Sequence, residues 1–468
     1  MTRGSPPRGS PSPARPPLLR PGGRLRVRFD ALGRDGLAEA RVGNTVVAAA
    51  YGIPGEEALV EVIAVERHRA RARIVSLLRK SPDVAPVACH HFGRCGGCQW
   101  QHLAYPAQLH YKAALIRSVL HEQLKVPPEL VRPALGGPPL WEYRHRLAAT
   151  FAAREGTPVA GFHALGGRRV IDVVECPVQH PTNVRILAAC RAAVRRLGLP
   201  VYDPATDRGV VRGVVALTAF ATGEAMMVLG TRRSLVDRDA FVRAVLDTVP
   251  DRESVMESAQ RGRGSEVVGR RADLLWGRPH LLDEVAGIRL RLTHATPLPA
   301  SPLGLPRLLG AVEDLAALAA GETAVDPYGG CGLAALHLAR RGARVLSVVP
   351  TDLLDDARDA VRLNGAEGCI FYTRDPARAL AKIGGRGGPV HAAILQPPGE
   401  GADAEVLRAT AGLGVARVVY VGRSLPTLVR DVGRLQALGY AVAAVQPVDL
   451  APHVSTMHVV VRMERAGP

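Results

Sequence analysis

Between Arg24 and Lys80 apolar and polar residues alternate in short runs: LRVRFDAL, LAEARV, TVVAAA, ALVEVIAVE and RARARIVSLL. Glycine-containing turns separate them, among them Pro54-Gly55. Period-two alternation puts one set of side chains on a core face, and several short strands at this spacing predict a small β-barrel. Residues 83–285 read as mixed, with a cysteine-rich loop, a helix around Gln108–Leu120, and strand-like HRLAATFAA and VIDVVE. From about Gly287 the pattern changes. The runs AVDPY, RVLSVV, CIFYT, HAAILQ, RVVYV and YAVAAV alternate with helical stretches such as LAALHLARR, LLDDARDAVRLN and LVRDVGRLQAL. That alternation predicts a parallel, doubly wound α/β sheet. HVVVRM follows YAVAAV with no helix between, so the last strand is expected to be antiparallel. No internal repeat is visible.

Composition changes this picture in one respect. At 468 residues the chain has room for about three domains. Its apolar content of 47% is that of a globular protein. The net charge of +17 is the distinctive feature, and a surface of that sign favours a polyanion. RNA or DNA outranks an anionic membrane as that polyanion, and no apolar run approaches the ~18 residues of a span. Residues 1–23 hold seven prolines and four arginines but no acid, and are expected to form a disordered basic tail. Arg67, Arg69, Arg71 and Arg73 recur with period two, so on one strand they would share a face, about 6.6 Å apart. Such a row is either a track for single-stranded RNA or a solvated edge.

Seven cysteines stand at 89, 95, 98, 176, 190, 331 and 369. An odd number without an export signal argues for metal binding or free thiols and for a cytoplasmic protein. Cys89, Cys95 and Cys98 are spaced C-x5-C-x2-C within CHHFGRCGGCQWQH. Three clustered thiolates and one distant one suit an iron–sulfur cube better than a structural zinc, which more often uses paired knuckles. The fourth ligand must then be Cys176, Cys190, Cys331 or Cys369. Cys176 precedes a proline at the end of a strand-like run and suits a ligand on a turn. Cys190 lies on an apolar helical stretch and reads as core.

These residues carry a resemblance. PGE at 54–56, SPDVAP, CGGCQWQHL and QLHYK, together with a distant Cys-Pro and a C-terminal α/β domain, are similar to the RNA uracil-C5 methyltransferases. These are S-adenosylmethionine enzymes, and one branch carries a TRAM domain and a 4Fe–4S cluster. The resemblance implies a TRAM/OB-like RNA-binding barrel over 24–82, a mixed α+β domain over 83–285 with a cluster on Cys89, Cys95, Cys98 and Cys176, and a Rossmann-like class I methyltransferase domain over 286–468. It also implies rRNA or tRNA as partner, and a monomer is expected.

In that family a thiolate adds to C6 of uracil, C5 attacks the methyl sulfonium, and a base then removes the C5 proton. The segment matching the thiol is YVGRSLPTLVRD, which puts Arg423 at the nucleophile position. The segment matching the base is DLAPHVSTMH, which puts His458 at the glutamate position. The glycine loop DPYGGCG retains Asp326, Gly330 and Gly332. Pro350 stands where an acid should grip the ribose, with Asp352 two residues on, and Asp375 matches the adenine contact. The pyrimidine segment is Gln396-Pro397-Pro398-Gly399, and Pro299 replaces a glutamine in LPASP. The expectation is an RNA-binding family member without thiol-dependent C5 methylation, its S-adenosylmethionine binding weak or lost. The alternatives are an active RNA methyltransferase with a non-standard site, for which Cys331 is the nearest thiol, and a cluster-dependent redox or sensing protein.

Overall fold

The computed structural model describes residues 19–137, 139–248, 253–262, 264 and 266–466, which fall into two compact units, 1–84 and 85–468. The tail expected over 1–23 lies, as far as residue 18, outside the described residues.

In the first unit β1 (Arg24–Arg28) and β2 (Ala31–Leu32) form one nearly continuous extended run. β3 (Ala38–Val42), β4 (Thr45–Ala49), β5 (Glu57–Glu66) and β6 (Arg69–Arg79) follow. The sheet order is β1-β5-β6-β4-β3-β2. Because β1 pairs with β5 and β2 with β3, the first run joins both edges and closes a barrel. Val27, Phe29, Ala38, Val47, Val60 and Ala70 fill its core. On β6 the buried Ala70 and Ala72 alternate with Arg69, Arg71 and Arg73, so those three arginines share the outer face. Arg67 does not join the row. It sits in the preceding turn with φ 48°, because the chain reverses there.

The second unit opens with the cysteine loop and α1 (Tyr105–Leu124). β7 (Arg146–Arg154), β8 (Thr157–His163), β9 (Val170–Asp172), α2 (Pro181–Arg196), β10 (Val211–Thr218), β11 (Ala225–Thr231), α3 (Arg238–Leu246), β12 (Ser254–Ala259) and β13 (Asp273–Gly277) come next. Their strands form one sheet ordered β13-β12-β11-β10-β7-β8-β9. β10 and β11 are buried on both faces. Val214, Ala216, Met227 and Leu229 pack with α2 and α3, while Val215, Leu217, Met226 and Val228 face the opposite core.

That opposite core is shared with the rest of the chain. It contains a hairpin of β14 (Leu281–Val285) and β15 (Ile288–Leu292), and then α4 (Leu305–Ala316). The boundary expected at 285/286 therefore runs through one continuous apolar cluster. The last elements are β16 (Thr323–Asp326), α5 (Leu333–Ala339), β17 (Arg344–Val348), α6 (Leu354–Asn364), β18 (Cys369–Tyr372), α7 (Pro376–Gly384) and β19 (Ala392–Leu395), then α8 (Ala404–Gly412), β20 (Arg417–Gly422), α9 (Leu425–Ala437), β21 (Tyr440–Val448) and β22 (His458–Arg465). They give a sheet ordered β18-β17-β16-β19-β20-β22-β21, parallel except for β22. Its second face carries α7, α8 and α9, joined by Ile116 and Leu120 of α1. The cysteine loop and the α/β sheet are thus tied together by α1. No described helix is long and apolar enough to cross a membrane.

Candidate functional site

A doubly wound sheet opens a crevice where its strand order reverses, beyond the carboxyl ends of the central strands. Here the reversal lies between β16 and β19, and a cavity of about 280 Å³ occupies it. Tyr328–Cys331 after β16, Gln396–Gly399 after β19 and Tyr420–Arg423 at the end of β20 line it. Pro297–Pro299, Leu305 and Leu308 form an apolar wall, and His458 opens β22.

The glycine loop is built for close backbone approach. A Cβ on Gly329 would meet Ser347 Oγ at 2.0 Å, and Gly332 has φ +82°, a region that glycine alone enters without strain. Behind the loop Asp326 is fully buried. Ser347 Oγ and the Tyr328 N–H donate to it at 3.1 and 3.3 Å, and burial pushes its carboxyl up to about 7. Of the other predicted cofactor residues, Gly330 and Gln396 lie on the lining. Asp352 and Asp375 do not. Asp352 pairs with Arg270, and Asp375 caps α7 by accepting from the Arg378 N–H at 3.0 Å.

Arg423 and His458 meet on the cavity wall. Arg423 is exposed to it and has no ion pair among the described residues. Burial, and then the Arg423 charge, lower the His458 pKa to about 4, so its imidazole is neutral at pH 7. Sequence reasoning missed the support beneath this wall. Asp431, fully buried, accepts from Tyr420 Oη at 2.8 Å, from the Ala402 N–H at 2.6 Å and from Arg430 Nε at 2.8 Å. Tyr420 and Asp431 bracket the YVGRSLPTLVRD segment, but nothing in their spacing announces a buried carboxylate.

A second cavity, about 50 Å³, collects Cys89, Cys95, Cys98 and Cys176. The loop carrying the first three adds to the end of β8, where the Gly96 N–H donates to His163 O at 2.9 Å. Cys176 arrives on the turn after β9, while Cys190 lies fully buried inside α2 and does not line the cavity. Burial raises the thiols of Cys95 and Cys98, and pushes Cys176 up to about 12. Arg144 lines the same cavity, and its charge pulls all three back toward thiolate. Its nearest polar partner is Tyr143 Oη, at 3.5 Å. Among the described residues no group of three or more His, Cys, Asp or Glu side chains is placed to hold a metal ion.

No protein-family model matches the chain. A tRNA (uracil-54, C5)-methyltransferase of Pyrococcus abyssi, solved with S-adenosyl-L-homocysteine, superposes with a TM-score of 0.73 at 20% identity, over 94% of this chain and 99% of its own. Sheet order, glycine loop and this likeness give the β16–β22 sheet and its helices the Rossmann-like fold of class I methyltransferases. An uncharacterized RNA methyltransferase of Halalkalibacterium halodurans is 30% identical over 442 residues, covering 94% of this chain and 96% of the relative. Another from Bacillus cereus is 29% identical over 443 residues, covering 94% and 96%. The chain belongs to this RNA methyltransferase family.

Proposed function

We propose that this family member binds RNA and S-adenosylmethionine but does not methylate uracil C5 by the thiol route. The observation that carries the reading is Arg423, on the cavity lining at the end of β20, where the resemblance requires a thiol. A guanidinium stays protonated and cannot add to C6, and without that addition C5 remains a poor nucleophile. When bound, S-adenosylmethionine supplies an electrophilic methyl group. The Gly329–Gly332 loop and the apolar wall of Leu305 and Leu308 would hold it. His458 is neutral at pH 7, but burial and the Arg423 charge lower its pKa to about 4, which makes it a weak base. It also has no activated carbon from which to take a proton. Cys331 also faces the cavity, but burial pushes its thiol up to about 11, which disfavours the nucleophilic thiolate at pH 7.

A second reading, RNA methylation at another atom, draws on the open cavity and on Gln396 at its rim. Incubation with labelled S-adenosylmethionine and total RNA separates the two. No transferred methyl is expected, and methylated RNA would favour the second.

The four-cysteine cavity is read as a 4Fe–4S site. The four thiols line one cavity, burial makes Cys95, Cys98 and Cys176 unfavourable as bare thiolates, and Arg144 supplies a cationic wall; each fits a bulky anionic core. When bound, such a cluster supplies a crosslink between two chain segments and a one-electron centre, the basis of the sensing alternative. The first unit is read as a TRAM/OB-like barrel, since five runs closed in the order found here match a Greek-key oligonucleotide-binding barrel. Arg69 is held by Asp35 and Glu39, and Arg73 by Glu61. Arg71 is exposed with no such partner among the described residues, and is the best placed of the row to meet a phosphate. rRNA or tRNA in the cytoplasm is the partner this reading implies.

A further inference from the structure

The segment between β21 and β22 runs from Asp449 to Met457 and delivers His458 to the larger cavity. A free loop of this length would wander, yet here the cysteine loop, α1 and Tyr143 hold its first half through several hydrogen bonds. Lys112, on α1 and 1% exposed, donates from Nζ to Asp449 Oδ1 at 2.9 Å and to Ala451 O at 3.2 Å. Gln108 Oε1 accepts from the His453 N–H at 2.8 Å. His453 O in turn accepts from the Gln99 and Trp100 N–H groups at 2.9 and 3.0 Å. Tyr143 Oη donates to Pro452 O at 2.8 Å, and Trp141 stacks on the His453 ring with centroids 4.3 Å apart.

The anchor points adjoin the thiols. Gln99 follows Cys98 directly, and its Nε2 donates to Gly96 O at 2.9 Å, between two cysteines of the cavity. Tyr143 packs in one buried cluster with Cys98, Cys176 and Ala451. The turn that shapes the thiol cavity is therefore the turn that holds the His453 carbonyl. A buried ion pair such as Lys112–Asp449 contributes little net stability against an apolar pair, but it specifies one arrangement.

We infer that Gln99, Gln108 and Lys112 are positioning residues through which filling of the four-cysteine cavity fixes the 449–458 segment, and with it the His458 wall of the larger cavity. The inference rests on the thiol-site reading and adds a consequence to it: the state of the smaller cavity controls the shape of the larger. Loading the thiols would order the substrate side, and losing the load would release it.

Hydrogen exchange on the full-length protein tests this, with iron content measured on the same samples. In anaerobically purified, iron-loaded protein the amides of 449–458 should be protected. Chelating the iron should raise their exchange roughly tenfold, while peptides of β10 stay protected, and restoring iron should reverse the change. Lys112→Met combined with Asp449→Leu removes both charges together and should raise exchange in the same peptides with iron still bound. If that variant does not fold, Gln108→Leu should do the same by breaking the hold on His453. Bound iron with unchanged exchange on chelation overturns the inference and leaves the thiol-site reading standing. Loss of protection in β10 as well also overturns it, since the coupling is local. A protein that takes up no iron overturns the thiol-site reading, and the inference falls with it.

Discussion

The thiols of the smaller cavity come from two short stretches, residues 89–98 and the turn at Cys176, whereas the larger cavity takes its walls from segments scattered between Pro297 and His458. The first set matches the family pattern at every cysteine. The second departs from it at Pro299, Gly399, Arg423 and His458, all of which line the cavity. Yet the supports of both are intact. Asp431 is satisfied beneath Tyr420, and Lys112 is paired with Asp449. Four of the departing positions face the cavity, Pro350 does not line it, and the sheet that carries them is intact. On the function proposed above, this is altered chemistry on a retained frame, not a chain losing its structure.

The largest effect that could break this contrast is covalent. RNA containing 5-fluorouracil traps thiol-dependent C5 methyltransferases as an adduct, because fluorine at C5 cannot leave as a proton. No adduct is expected here on a denaturing gel. Arg423→Cys with His458→Glu should not create methyl transfer, since Pro299 and Gly399 still line the cavity and Pro350 still stands where the resemblance expects an acid. An adduct with the unaltered protein would mean that another thiol, Cys331 first, is the nucleophile.

For the smaller cavity the expected effect is also nearly all-or-none. Anaerobic protein should be brown and hold about four irons per chain, and Ser at 89, 95, 98 or 176 should bleach it. Cys190→Ser should not, because Cys190 is enclosed in the α2 core. One tightly held zinc in a colourless protein would replace the cluster assignment.

These cysteines were legible from sequence because ligand chemistry admits few residue types at narrow spacings. The barrel and the α/β alternation were legible for a similar reason, since half-buried strands and amphipathic helices imprint their period on the chain. The central sheet left no such imprint. VRGVVALT and AMMVLGT are buried on both faces, so they read as continuous apolar runs, and the sheet they organise stayed unassigned. The shared core across residues 285/286 was hidden as well, because α4 and the β14–β15 hairpin bury their apolar faces against two sheets at once. Of the candidate site, the glycine loop and Gln396 were visible as motifs. Asp375 matched a motif position and Asp352 stood two residues from one, but both are engaged elsewhere, a fact only the fold reveals.

The clamp between the cavities gives a smaller, graded effect. Lys112→Met alone leaves Asp449 buried without its cation and should cost about 3–5 kcal/mol in urea unfolding. Adding Asp449→Leu should recover most of that loss. If the single variant is no less stable than the double, Asp449 does not need Lys112, and the two cavities are less tightly joined than the contacts imply.

The smallest effect is on pH dependence, and it tests the same clamp from the His453 side. His453 is 3% exposed, and burial, followed by the charge of Lys112, lowers its pKa to about 4 from the usual 6.5; Asp449 acts the other way. The unfolded chain therefore takes up a proton first, and stability contributed by the neutral ring is present above pH 6.5 and lost as pH falls toward 4. For this shift the loss is at most about 3 kcal/mol. His145 and His458 are each lowered to about 4, and burial also lowers His91, His180, His280 and His294. All act in the same direction, so removing one ring should remove only a fraction of the slope. Asp326, raised to about 7, acts in the opposite direction, favouring the fold as pH falls. It is common to both proteins and cancels in the comparison. His453→Phe keeps a ring against Trp141, so its melting temperature should fall less steeply between pH 6.5 and 4.5 than that of the unaltered chain. Equal slopes would mean that His453 is already protonated or solvated in the fold, and that the segment leading to His458 is looser than its contacts with Gln108, Gln99 and Trp141 require.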